Sequence, residues 1–165
     1  MQREFLGKTK NGASVYLDFK TSHAVTHFES QPSLRSAVEE LIPTIEATAD
    51  TVRIEHDMGK VIGTTDLIET TDQDEIVYAM RPRRKVYSRF VKNKATTPTS
   101  WVTIVLHKNK KGEYILHTAF AGRNTPSFPG GDYLPEQSRD FWSKHALVWG
   151  SQEVIPDTET SVCPW

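Results

Sequence analysis

Between Leu34 and Ile45 the apolar residues Leu34, Ala37, Val38, Leu41 and Ile45 recur at steps of three and four. That is the stripe of a helix burying one face. Pro32 precedes the stripe, Ser33 suits an N-cap, and Pro43 falls inside it. The pattern therefore predicts a helix from about Ser33 to Thr48, kinked or broken at Pro43. From Thr51 the period shortens to two. Strands are predicted at Val52–Glu55, Val61–Glu69, Glu75–Met80, Val86–Val91, Trp101–His107 and Glu113–Phe120. Asn109–Gly112 joins the last two as an antiparallel hairpin, and Asn93–Ser100 reads as a loop. Before the helix, Glu4–Thr9 and Ser14–Phe19 flank a Lys10-Asn11-Gly12 turn, a hairpin signal. The intervening Thr21–Phe28 is polar.

After a Pro- and Gly-rich loop at Gly122–Leu134, a second helix is expected from about Pro135 to Ala146, with Phe141, Trp142, His145 and Ala146 inward. The expected fold is α+β: an antiparallel sheet of four or more strands with an N-terminal helix and a C-terminal helix. At 165 residues one domain is expected over 1–150, followed by a flexible C-terminal tail at 151–165. No apolar run approaches the roughly 20 residues of a membrane helix. The opening residues lack an apolar leader core, and the one cysteine, Cys163, excludes an internal disulfide. A cytoplasmic protein, or one delivered into a target-cell cytoplasm, is the expectation.

Charge is unevenly divided. Eleven of the 20 Lys and Arg lie between Arg81 and Arg123, where Glu113 is the only acid; the rest of the chain carries nine against twenty acids. Seven of the fourteen residues from Arg81 to Lys94 are basic. Such a block favours a polyanionic partner, although basic strands also neutralise acidic neighbours and guard sheet edges.

Phosphate-cradling glycine loops, the H-E-x-x-H helix and cysteine clusters are all missing. His23 and His27 stand four apart without an obvious third ligand, so neither a metal nor another cofactor is expected. What the chain offers is cation-rich histidine chemistry. Metal-free RNA cleavage by the 2′-hydroxyl needs one group to take its proton, one to protonate the leaving oxygen, and donors for the phosphorane charge. His27 and His117 suit the proton transfers, Arg84, Arg89 and Lys92 the phosphate, and Ser88 and Thr118 supply neutral donors. Tyr87 and Trp101 are candidates for base stacking. Each has a plainer role available. His27 can satisfy a turn, His117 can be a half-buried sheet residue, His145 a core residue, and Thr118 a β-former. Strand alternation sets Tyr87, Arg89 and Val91 against Ser88, Phe90 and Lys92, and separates His117 from Thr118.

The segments Arg81–Lys94 (RPRRKVYSRFVKNK), Trp101–Leu106 (WVTIVL), Glu113–Phe120 (EYILHTAF) and Ser138–Ala146 (SRDFWSKHA) together resemble the phage and toxin branch of the Barnase–EndoU–colicin–RelE nuclease superfamily. The resemblance spans roughly Asp74 to Trp149. It implies a four-stranded antiparallel sheet preceded by helical material, and metal-independent RNA cleavage by a toxin or prophage effector. On its pattern the catalytic positions are His27 (or His23), Arg89, Lys92 and Thr118; by their own chemistry Arg84, Tyr87, Ser88, Trp101 and His117 are the expected substrate-binding residues. RNA is the implied partner, with a cognate immunity or antitoxin protein beside it. The helix after the last strand departs from the pattern. A different class explains the same features: a non-catalytic module binding nucleic acid or protein through the basic block. A phage-encoded inhibitor acting through acidic segments such as Glu69–Glu75 is a third reading.

Overall fold

In the computed structural model, which describes residues 2–165, the elements run β1 (Arg3–Lys8), β2 (Ser14–Asp18), α1 (Ala24–Ser30), α2 (Pro32–Leu41), β3 (Thr51–Asp57), β4 (Gly63–Thr65), β5 (Leu67–Glu69), β6 (Ile76–Met80), β7 (Tyr87–Val91), β8 (Thr97–Thr99), β9 (Trp101–Lys108), β10 (Tyr114–Ala121), α3 (Glu136–Lys144) and β11 (His145–Val148). The fold is α+β, as the sequence implies. It is divided, however, into two compact units where one was expected: Met1–Thr64 with Pro98–Asn124, and Thr65–Thr97 with Thr125–Trp165. The short strands β4 and β8 pair as a ribbon at the residues where the chain leaves and re-enters the first unit.

The first unit is a five-stranded sheet in the order β1-β2-β10-β9-β3. Its pairs are antiparallel except β2 with β10, which run parallel at Val15–Tyr114 and Tyr16–Ile115. The expected all-antiparallel sheet is thus a mixed one, because strands far apart in sequence meet across the helices between them. Val15, Leu17, Val102, Ile104, Leu106, Leu116 and Ala119 project from one face onto the α2 stripe and Phe28 of α1. The stripe is helical as predicted, but the α-helix stops at Leu41. Pro43 lacks an amide hydrogen to continue it, so Ile42–Thr44 tightens into a 3-10 turn. The helix α1 was not foreseen. It buries only Ala24 and Phe28, one residue per turn, which leaves no stripe to read.

The second unit is a four-stranded sheet in the order β5-β11-β7-β6. Here too the pairing is mixed, since β11 runs parallel to β7 and antiparallel to β5. One face packs Val77, Ala79, Phe90 and Leu147 with Phe128 and the buried Trp142 of α3. Trp142 donates its indole N–H to the Pro126 carbonyl at 3.0 Å, so its one polar atom is satisfied. The helix expected to close the chain ends at Lys144, and His145–Val148 continue directly as β11. Helical spacing of Phe141, Trp142 and His145 masked the strand-forming run His-Ala-Leu-Val.

Residues 151–165, expected as a flexible tail, lie along β6 instead. Ile155 N–H donates to Met80 O, Tyr78 and Thr160 exchange two backbone hydrogen bonds at 2.8 Å, and Thr158 Oγ1 accepts from Met80 N–H. Trp165 stands edge-on to Tyr78, with centroids 5.3 Å apart. These contacts cover backbone groups that an edge strand would otherwise expose. Among the described residues, no helix is long and apolar enough to cross a membrane.

Candidate functional site

The face of the first unit's sheet away from its helices carries most of its chemistry. Residues paired across neighbouring strands share a face, so the register can be followed strand by strand. One row runs Phe5 (β1), Tyr16 (β2), Ile115 (β10), His107 (β9) and Thr51 (β3). Phe5 is 53% exposed and meets Tyr16 edge-on at 5.7 Å, and Arg3 covers the Tyr16 ring at 4.4 Å. At about 4.8 Å per strand, Phe5 lies roughly 14 Å along the row from His107.

A β-bulge shapes the next row. Leu116 opposes Leu106, but the following partner of β9, Val105, is opposed by Thr118, leaving His117 as the extra residue. Leu116 and Ala119 stay in the core while His117 and Thr118 between them are both partly exposed. A bulge of this kind turns two successive side chains to the same side. The separation of His117 from Thr118 expected from simple alternation is therefore corrected. Arg53 of β3 also opposes Val105, so it flanks the same spot.

Three imidazoles meet there. His107 and His117 stack with centroids 4.3 Å apart and planes 18° apart, and His23 lies 5.0 Å from His117 on its own contact. His23 sits just before α1 and donates its backbone N–H to His117 O at 2.9 Å, which ties the helix start to the bulge. Burial first, then His107, His23 and Arg53, push the His117 imidazole below the usual histidine value of 6.5. His117 therefore holds a proton less readily than an exposed histidine, which favours the neutral form able to accept one. Stacked rings do not converge their nitrogens on one point. Among the described residues no group of three or more His, Cys, Asp or Glu could hold a metal ion.

The other proposed residues are distributed differently. His27 follows His23 by one turn of α1 and is half-buried. Trp101 lies under Arg123, whose guanidinium is 4.1 Å from the ring centroid and also bonds Glu55 Oε1 at 2.8 Å. That pairing holds the Glu55 carboxyl below its usual range. Arg89, Lys92, Arg84, Tyr87 and Ser88 all belong to the second unit, whereas His27, His117 and Thr118 belong to the first. Arg89 donates from Nη1 to Thr70 Oγ1 at 2.8 Å and His145 O at 3.0 Å, joining the strand backbone to a loop. Lys92 reaches over the Trp149 ring at 5.1 Å. Ser88, almost wholly buried, accepts from Arg81 Nε at 2.7 Å. Tyr87 is half-buried on β7, and Arg84 stands exposed in the turn before it. His145 is bonded to Phe141 O through Nδ1 and stacks on that ring at 4.1 Å, the arrangement of a satisfied structural residue.

Two residues of this cluster, His107 of the trio and Arg53 beside it, were not singled out in the sequence. The hairpin was enough to find the first. Counting back from the Asn109–Gly112 turn puts His107 and His117 on one face even without the bulge. No family model, no curated protein and no solved structure matches this chain.

Proposed function

We propose that the histidine face of the first unit cleaves single-stranded RNA without a metal. The observation that carries this reading is the run of three contacting imidazoles beside Arg53 and Thr118. In the proposed step neutral His117 takes the 2′-hydroxyl proton as the 2′-oxygen bonds to phosphorus. The bond from phosphorus to the 5′-oxygen breaks, and an imidazolium at His107 or His23 gives that oxygen its proton. Arg53 and the Thr118 hydroxyl face the phosphorane charge. The products are a 2′,3′-cyclic phosphate and a 5′-hydroxyl. Phe5 and Tyr16, on the His107 row, offer ring surface to unpaired bases. The reading keeps the chemistry that the nuclease resemblance implies while moving it from His27, Arg89 and Lys92 to other residues. RNA as partner, a cognate immunity or antitoxin protein and a cytoplasmic place of action belong to the same proposal.

The non-catalytic binding module has its own support: Arg83, Arg84 and Lys85 are exposed and form no ion pair among the described residues. One experiment separates the two. Purified protein is incubated with single-stranded RNA in excess chelator beside His117→Ala and His107→Ala variants. Cyclic-phosphate ends that vanish in the variants are expected. RNA that is bound but left intact by the wild type overturns cleavage in favour of binding.

A further inference from the structure

We propose that the turn Arg81–Arg84 of the second unit is a binding site for a phosphate monoester or free phosphate. It stands independently of RNA cleavage by the histidine face. A shallow cavity of about 190 Å³ is lined by Arg81, Pro82, Arg83, Arg84, Gln152 and Glu153. Three arginines thus line a space with one acidic residue.

Arg81 is held from two sides, through Nε to Ser88 Oγ and through Nη1 to Gln152 Oε1, each at 2.7 Å. Gln152 is fixed in turn by its amide, which donates to Asp66 Oδ2 at 2.9 Å. Neither bond uses Nη2. A planar donor fixed this way loses little freedom on meeting an anion. Burial chiefly, and the Arg84 charge next, bring Arg81 down to about 10 against the opposing pull of Asp66. It remains a cation at neutral pH, but one repelled by its neighbour, and an anion between the two would relieve that repulsion.

The backbone points the same way. Arg83 adopts a left-handed conformation, φ 62°, that side-chain-bearing residues rarely take. Glycine would occupy this position without strain, yet an arginine does, exposed and outside any ion pair among the described residues. Strained backbone of this kind is more common at ligand sites than elsewhere. A dianionic phosphate, with several acceptor oxygens for planar donors, fits the cavity's chemistry better than a monoanion.

The test is calorimetric titration of the full chain with inorganic phosphate at constant ionic strength. Saturable binding is expected, weakened about tenfold by Arg84→Gln or Arg83→Gln, the loss of one charged hydrogen bond. Lys110→Gln, an exposed change in the first unit, should leave it untouched, and Glu153→Gln should tighten it. Arg83 and Arg84 are exposed, so the variants should keep the wild-type circular dichroism. An RNA tetranucleotide with a 5′-phosphate, compared with its 5′-hydroxyl form, distinguishes a nucleic-acid end from free phosphate as the source. Absence of saturable binding at millimolar phosphate overturns the site. Equal affinity in wild type, Arg83→Gln and Arg84→Gln does so too.

Discussion

His107 and His117 lie ring over ring, 4.3 Å apart at the centroids, because a hairpin places them on one face and a bulge leaves His117 without an opposite partner. Two imidazoles at that distance cannot both carry a proton cheaply. Charge on His107 therefore opposes charge on His117, a coupling to which His23 adds from the far side of the His117 ring.

The coupling has a consequence for stability. His117 is held below 6.5 in the folded protein, while the unfolded chain titrates at the ordinary value. As pH falls through the ordinary value, the unfolded state takes up a proton that the folded state does not. Stability therefore declines with acidification until His117 itself protonates, then levels. The urea midpoint of the wild type should fall more between about pH 7.5 and pH 5.5 than that of His117→Gln. Parallel declines would show that carboxylates or other histidines govern this window.

Arg53 is the one permanent cation among the groups that depress His117. Its Nη1 also donates to Asn124 Oδ1 at 2.9 Å, which fixes the side chain over the sheet. Arg53→Gln should raise the His117 value, read from the ring resonances by NMR titration. In the proposed cleavage it should also move the acid limb of the pH–rate profile upward and lower kcat more than KM is changed. An unshifted His117 titration would separate Arg53 from the site.

Arg89 has the opposite expectation. Its guanidinium joins Thr70 and the His145 carbonyl within the second unit, so removal leaves a partly buried carbonyl short of a donor. Arg89→Met should cost roughly 1–3 kcal/mol in denaturant unfolding. RNA cleavage measured well below its unfolding midpoint should be retained. Loss of cleavage by a fully folded Arg89→Met would restore Arg89 as a site residue.

How far these features were legible follows from how local each signal is. The β1–β2 hairpin needed only Lys10-Asn11-Gly12, and α2 only its four inward residues, so both were readable. Pro43 marked the helix stop. The pairing of β2 with β10 joins Val15 to Tyr114, about a hundred positions away, and nothing near either residue announces it. For the same reason strands β6, β7, β9 and β10, consecutive long strands in the sequence, read as one sheet but fall into two. At the site, His117 and Thr118 were named, yet the bulge that aligns them depends on β9 packing. Arg89 looked free because its partners, Thr70 and His145, are remote in sequence.

Residues 151–165 offer another check on the second unit. Thr160 gives and receives a backbone hydrogen bond with Tyr78. Thr160→Pro removes the donor and bars the ladder geometry, while Thr160→Ala keeps the backbone pair. Hydrogen exchange at Tyr78 and Met80 should accelerate sharply in the proline variant and little in the alanine variant. Slow exchange in both would mean that β6 is protected without this segment.

Gly63 makes the packing of the first unit testable at a single atom. A Cβ added there would stand 2.8 Å from Ala121 Cβ and closer still to the Gln31 side-chain oxygen. Gln31 Oε1 accepts the Thr64 N–H at 2.6 Å, so it cannot swing away without leaving that donor unpaired. Ala121 is set by the β10 backbone and has no torsion to relieve the contact. Gly63→Ala should cost about 1–3 kcal/mol, the usual range for overpacking. Gly112→Ala is the contrast: nothing lies within 4 Å, and only its φ of +79° opposes a side chain. Gly63→Ala combined with Ala121→Gly should recover part of the loss, whereas Ala121→Gly alone should destabilise. Additive penalties in the double variant would place the strain in the backbone of β4 rather than in the contact with Ala121.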